Sequence, residues 1–260
     1  MPRGESRIWT RSVELDAERG LSVSLVEDPT LDLDGEAWCS WCLWPAARAL
    51  VGYLATLADA ELAGLSVLEL GSGCGAVGIY LQKRGAGPVV LTDVHRALPL
   101  LKRNVGANRA SCEVCALLWG TPPERSPPAV RSRVPFDLVV ASDCSYDFVT
   151  PEAPSPSLDA LLTSARCGRR ALICVSRRPN EVEAFEAALQ RAGLEGRVVH
   201  SAAMPAATEG VGECLVYRFD FEGGPPEGRV ARAAGEGASS EDADLPGSKQ
   251  SAPADAIEIR

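Results

Sequence analysis

A run of glycines and three acidic residues are the parts of this chain whose types and spacing could do chemistry. Glu69, Gly71, Gly73 and Gly75 stand in V-L-E-L-G-S-G-C-G, Val67 to Gly75, and a second apolar run, V-V-L-T-D, ends on Asp93. Glycines so spaced let the backbone approach a ligand and turn tightly into a helix whose N-terminus is electropositive. An aspartate closing the next strand can accept hydrogen bonds from two ribose hydroxyls. The pair reads as a pocket for an adenosine-containing cofactor at the carboxyl edge of a parallel sheet. The third acid, Asp143, lies in F-D-L-V-V-A-S-D-C-S-Y, Phe136 to Tyr146, where a buried strand breaks into a polar loop. A D-x-x-Y just past the fourth strand would lie over the cofactor's reactive end, in the crevice where open α/β sheets bind ligands.

The glycine loop alone does not name the cofactor, because Gly71-x-Gly73-x-x-Ala76 also fits a dinucleotide fingerprint, with Asp93 near the expected spacing. Two features favour S-adenosyl-L-methionine. Glu69 stands two residues before the first glycine, so that E-L-G-S-G-C-G looks like the E/D-x-G-x-G-x-G signature of class I methyltransferases. A negative charge there suits a ligand carrying an ammonium and a sulfonium and would repel a pyrophosphate. The motif also begins near residue 70, behind a long preamble, whereas a dinucleotide domain often opens with it.

Adding the Asp143 loop, the chain resembles the seven-β-strand protein methyltransferases of family 16, which include lysine methyltransferases acting on chaperones, AAA ATPases and translation factors. The resemblance rests on the glycine motif, on D-x-x-Y at Asp143 and Tyr146, and on L-W-P-A-A at Leu43 to Ala47 ahead of the helix-like A-L-V-G-Y-L. A further tryptophan, Trp119, stands in L-L-W-G. The match runs from about Trp38 to about Phe221, with the motifs in the family's order.

On their own residues Trp44 and Trp119 read as packing side chains, since aromatic groups are most often buried. The resemblance implies instead that both touch the cofactor, together with Glu69, Gly71, Ser72, Gly73, Asp93 and Ser142, while Asp143 and Tyr146 serve catalysis. It implies a doubly wound, Rossmann-like seven-stranded sheet whose last strand is antiparallel. It also implies a monomeric, S-adenosylmethionine-dependent protein-lysine N-methyltransferase of the cytoplasm or nucleus.

Composition narrows the partners. The 260 residues suffice for one α/β domain with a substantial core. A net charge of −9 argues against a phosphate backbone as partner and favours a basic or lysine-presenting surface. Met1 to Arg11 lacks the apolar core of a secretory signal, and the apolar stretches are strand-sized, so no membrane partner is expected. Nine cysteines, an odd number scattered over strands and loops, fit a reducing compartment. Two C-x-x-C pairs, Cys39/Cys42 and Cys112/Cys115, raise the question of zinc. Cys112 and Cys115 fall on a strand, where residues three apart face opposite sides, so no metal is expected.

The elements that must position these residues follow from periodicity. Residues 1–37 read as an extension with short strands, including Ser22 to Val26, ahead of a helix opened by Pro45. Residues 38–222 form the cofactor-binding domain: strand Val67–Leu70, helix Ala76–Arg84, strand Val89–Thr92, helix Leu98–Arg109 and strand Cys112–Leu118. A long loop from Thr121 to Pro135 leads to strand Asp137–Ala141, helix Leu158–Ala165, strand Ala171–Ser176 and helix Glu181–Ala192. Strands near Val198–His200 and Glu213–Phe221 close it. Such alternation calls for a doubly wound sheet. Residues 223–260 are too poor in large apolar groups to offset their ordering entropy and read as a disordered tail.

Methyl transfer to an amine is an in-line displacement, so the enzyme must align the nucleophile and keep the site dry. Asp143 is placed to hold the amine through its carboxylate or its backbone carbonyl, and Tyr146 to wall the slot with its ring face. Without a substrate, Asp143 would be a turn former bonded to local amides. Three other readings share these residues. A nucleic-acid amine methyltransferase would carry D/N-P-P-Y/F/W where this chain has Cys144 and Ser145. A nicotinamide oxidoreductase leaves Glu69 and D-x-x-Y unexplained. A cofactor-binding partner without catalysis has every motif it needs.

Overall fold

The computed structural model describes residues 8–29, 40–145, 156–204 and 212–221. Its centre is a seven-stranded sheet of β3 (Val67–Leu70), β4 (Val89–Asp93), β5 (Cys112–Ala116), β6 (Leu138–Ser142), β7 (Arg170–Ser176), β8 (Arg197–Ala203) and β9 (Glu213–Asp220). The spatial order is β5-β4-β3-β6-β7-β9-β8. The first five are parallel, and β9 runs antiparallel between β7 and β8, as expected for this sheet. Strand order reverses between β3 and β6, which puts a crevice at their carboxyl ends.

Strands buried on both faces read as continuous apolar runs, and β3 is buried at all four positions. Alternate residues feed two cores. Val67, Leu91, Val140 and Leu172 pack with helices α1 (Pro45–Thr56) and α3 (Ala76–Lys83) on one face. Leu68, Val90, Val139 and Ile173 pack with α6 (Pro156–Ala165) and α7 (Glu181–Ala192) on the other. Cys112 packs with the first core and Cys115 with the second, so the two thiols do face opposite sides of β5.

A separate hairpin, β1 (Trp9–Asp16) and β2 (Leu21–Glu27), adds Val13, Val23 and Leu25 to the first core. Its attachment to α4 (Leu98–Ala107) is polar. Asn104 accepts from Val26 N at 2.7 Å and donates to Val26 O at 3.1 Å. Asn108, one turn on, repeats the pattern with Ser24 N and O at 2.9 and 2.7 Å. Two side-chain amides thus stand in for a neighbouring strand along the edge of β2, satisfying backbone groups that would otherwise be buried unpaired.

Two expectations need correction. The stretch Thr121 to Pro135 is not a plain loop: it holds a 3-10 turn, Pro123–Arg125, and a short helix α5, Pro128–Arg131. Proline suits the first helical position, where its missing N–H is no loss. The third strand of the domain ends at Ala116 instead of Leu118. Leu117 N still bonds Asp93 O, but the chain then turns, with Thr121 N bonding Leu118 O.

Candidate functional site

The carboxyl ends of β3, β4 and β6 gather the residues singled out by chemistry. Between β3 and α3 the loop Gly71–Gly75 is tied to β4: Ser72 N donates to Thr92 O at 2.9 Å, and the Ser72 hydroxyl accepts from Thr92 N at 3.0 Å. That hydroxyl also lies 3.4 Å from Glu69 O, so Ser72 stitches the loop to the strands beneath it. Gly71 has φ +61°, and a Cβ there would come within 2.7 Å of Cys144 Sγ and 3.0 Å of the Trp119 ring. The bare glycine therefore leaves room for both Trp119, from the turn after β5, and Cys144, from the loop after β6, beside it.

Asp93 ends β4 at 6% exposure. Its Oδ2 accepts from Gly73 N at 2.7 Å, and its Oδ1 from Val94 N at 2.7 Å and the Ser40 hydroxyl at 3.2 Å. Burial pushes its pKa up while these donors hold it down. No cation pairs with it among the described residues. A carboxylate oxygen can accept two hydrogen bonds, and Oδ2 takes one among those residues, so acceptor capacity remains for a diol. This donor-lined, backbone-hugging cradle fits a ribosyl cofactor.

Glu69 is deeper, with Oε2 accepting from Gly78 N in the first turn of α3 at 3.0 Å. Gly78 is required by space: a Cβ there would lie 2.1 Å from Leu91 and 2.6 Å from Glu69 Oε2. Burial pushes the Glu69 pKa up to about 8. Desolvation thus works against the charge that the residue type suggests. A cation brought beside it would draw the proton off.

Asp143 follows β6 with φ +57°, in the left-handed region. Its carboxylate is paired with a cation: Arg178 reaches Oδ1 and Oδ2 at 2.7 and 2.8 Å, and the Ser176 hydroxyl donates to Oδ1 at 2.8 Å. Of the two routes by which Asp143 could hold an amine, the carboxylate is thus engaged by an arginine. Ser142 ends β6, half-buried, opposite Cys174. Trp44 caps α1, half-buried, with Pro45 at the first helical position. Tyr146 lies outside the described residues, as do Trp38 and the tail.

A family model for lysine methyltransferases matches residues 27–192. The chain belongs to the lysine methyltransferase family. Among curated relatives of this family member, EEF1A lysine methyltransferase 3 of Xenopus tropicalis is 38% identical over 107 residues, covering 40% of this chain and 44% of that protein. Protein N-lysine methyltransferase METTL21A of Mus musculus is 38% identical over 109 residues, covering 40% and 47%. The chain spans about half the length of the curated relatives it matches. Among solved structures, the 16S rRNA N2 G1207 methyltransferase of T. thermophilus, in complex with AdoMet and guanosine, shares the fold. Its TM-score is 0.51 at 18% identity, over 85% of this chain and 52% of that one.

Several residues that build the site in this lysine methyltransferase family member escaped the sequence. Ser40, Asn104, Arg178 and Glu181 belong to no motif quoted above. Asn104 carried a signal: an amide on the apolar face of a helix must find partners, and here it donates to Cys74 O of the glycine loop at 2.9 Å as well as to β2. Arg178 and Glu181 also had one, since S-R-R-P-N-E directly follows a strand at its carboxyl end.

Proposed function

We propose that the protein transfers a methyl group from S-adenosyl-L-methionine to the side-chain amine of a lysine on a partner protein. The observation that carries this is the meeting of the glycine loop, Asp93, Trp119 and the Asp143 loop at the reversal of strand order, in a chain of the lysine methyltransferase family. S-adenosylmethionine supplies, when bound, a methyl carbon activated by its sulfonium. Asp93 would accept the ribose hydroxyls, the backbone at Gly71 and Gly73 would lie along the ligand, and Glu69 would ionise beside its positive charge. Trp44, Ser72, Trp119 and Ser142 complete the proposed cofactor set.

On the acceptor side the chain must align an amine and strip its water. A lysine free in water has a pKa of about 10.4, and an apolar slot lowers it. Trp119 and Cys144, both beside Gly71, offer such a wall, and the backbone carbonyl of Asp143 and the Tyr146 ring are what we assign to the incoming amine. The relatives' names support a protein acceptor, among them one named for EEF1A. Free thiols at eight described positions suit a reducing compartment such as cytoplasm or nucleus. No helix among the described residues is long and apolar enough to cross a membrane.

The test has two arms. Isothermal titration should give saturable binding of S-adenosylmethionine and none of NAD; the reverse would sink the reading. Incubation with labelled cofactor and a methylation-deficient cell extract, followed by mass spectrometry, should place label on protein lysine. Label confined to nucleic acid would point to a base amine as acceptor, and binding without label in any extract to a non-catalytic partner.

A further inference from the structure

We propose that Arg178 and Glu181 form a clamp that positions the loop after β6, and that the Asp143 carboxylate is a tether to this clamp, not the group that receives the amine. The proposal rests on the methyl-transfer reading above. Arg178 grips both oxygens of Asp143, and its NH1 also donates to Glu181 Oε2 at 2.9 Å. The other Glu181 oxygen accepts from the Ser145 hydroxyl at 2.7 Å. One Arg–Glu pair at the start of α7 thus fastens the loop at both Asp143 and Ser145. Between them Cys144 faces the other way, its Sγ 3.5 Å from Leu70 O and beside Gly71. Three consecutive residues are pinned on alternating sides, immediately ahead of Tyr146.

Asp143, Ser145 and Glu181 are each at least nine-tenths buried, and Arg178 is half-buried, so the acceptor side of these bonds is shielded from water. A two-pronged guanidinium–carboxylate pair is among the stronger charge-assisted contacts. Asp143 Oδ2 takes one of these bonds and has room for another, but an ammonium there would stand beside the Arg178 guanidinium, like charge against like. The left-handed backbone at Asp143 also needs an external hold, because a side chain with a Cβ adopts it at a cost. The tether supplies that hold. Arg178 and Glu181 act on the reaction only through the loop's geometry, which makes them positioning residues.

A double-mutant cycle on the full chain separates tether from direct contact. Asp143→Asn and Arg178→Gln should each lower kcat by about 10²-fold, with cofactor affinity and KM changed no more than about 3-fold, because orientation acts in the transition state. The double variant should be no slower than the worse single by more than about 3-fold, the mark of two residues acting as one unit. If Asp143→Asn costs as much in the Arg178→Gln background as in wild type, the carboxylate acts on its own and the proposal falls.

Hydrogen exchange of peptides spanning the loop reads the clamp without any turnover. Arg178→Gln should speed exchange there while β3 to β7 stay protected, and unchanged exchange would overturn the clamp. Should Arg178→Gln fail to fold, Ser145→Ala removes only the second fastening and is read the same way, with the same two outcomes. A wild-type chain that binds cofactor but labels nothing would end the proposed function, and exchange would still decide the clamp.

Discussion

Asp93 at the end of β4 and Asp143 just past β6 flank the same central strand, and both are more than nine-tenths buried. Asp93 is met by two backbone N–H groups and a hydroxyl, with no cation among the described residues. Asp143 is met by a guanidinium on both oxygens. A carboxylate held by dipoles alone leaves room beside it for a neutral donor such as a hydroxyl, with no cation in the way. One held by arginine is neutralised, and its value lies in where it pins the chain. On the readings proposed above, two aspartates at one sheet edge, each next to a strand end, serve different ends: one to receive, the other to fasten.

The largest expected effect tests that contrast directly. Asp93→Ala should weaken S-adenosylmethionine binding by about 10²- to 10⁴-fold, since two hydrogen bonds to a charged acceptor are worth about 1.5–3 kcal/mol each. Asp143→Asn, by contrast, should shift affinity by no more than about 3-fold. Titration calorimetry on both variants measures the difference, and equal losses would erase the distinction.

Next in size is Gly71→Ala, which forces a Cβ toward Cys144 and Trp119 at positive φ. It should cost about 1–3 kcal/mol of stability by urea unfolding and weaken cofactor binding in parallel. Full stability in that variant would mean that the two halves of the site do not meet at this glycine.

Glu69 sharpens the receiving half through pH. Its folded-state pKa is raised from 4.5 to about 8, so its contribution to stability is fully present below about pH 4.5 and is lost as pH rises through 8. The stability of wild type relative to Glu69→Gln should therefore fall steadily between about pH 5 and 8.5 in the absence of cofactor. A flat difference across that range would mean the carboxyl is not shut away from water. The smallest effect expected is from ending the chain at Glu222. Melting temperature and cofactor affinity should stay at wild-type values, because residues beyond have too few large apolar groups to pack.

The grouping of Glu69, the glycines and Asp93 was legible in the sequence, and the partners of Asp143 were not. Glu69, the glycines and Asp93 lie within 25 residues, and their strand–loop–helix–strand order dictates where they meet. Arg178 stands 35 residues beyond Asp143, two residues past the end of the next strand, and only the parallel pairing of β6 with β7 brings the two together. Ser40 is farther still from Asp93 in sequence, separated by 53 residues. Glu69 shows a related limit: the residue type is written in the chain, but the burial that pushes its pKa up is not.

Local patterns settled what depends on neighbours along the chain. These are the continuous apolar runs that alternate with helical segments to make a doubly wound sheet, the helix opened by Pro45, and the glycine turn that feeds α3. The partner of each polar group is a different matter, because it depends on which strand ends share an edge. Folding chose arginine for Asp143, amides and a serine for Asp93, and two asparagines for the edge of β2. Hydrogen bonds and ion pairs act over about 3 Å in space. Sequence separation says nothing about that distance until the sheet has been assembled.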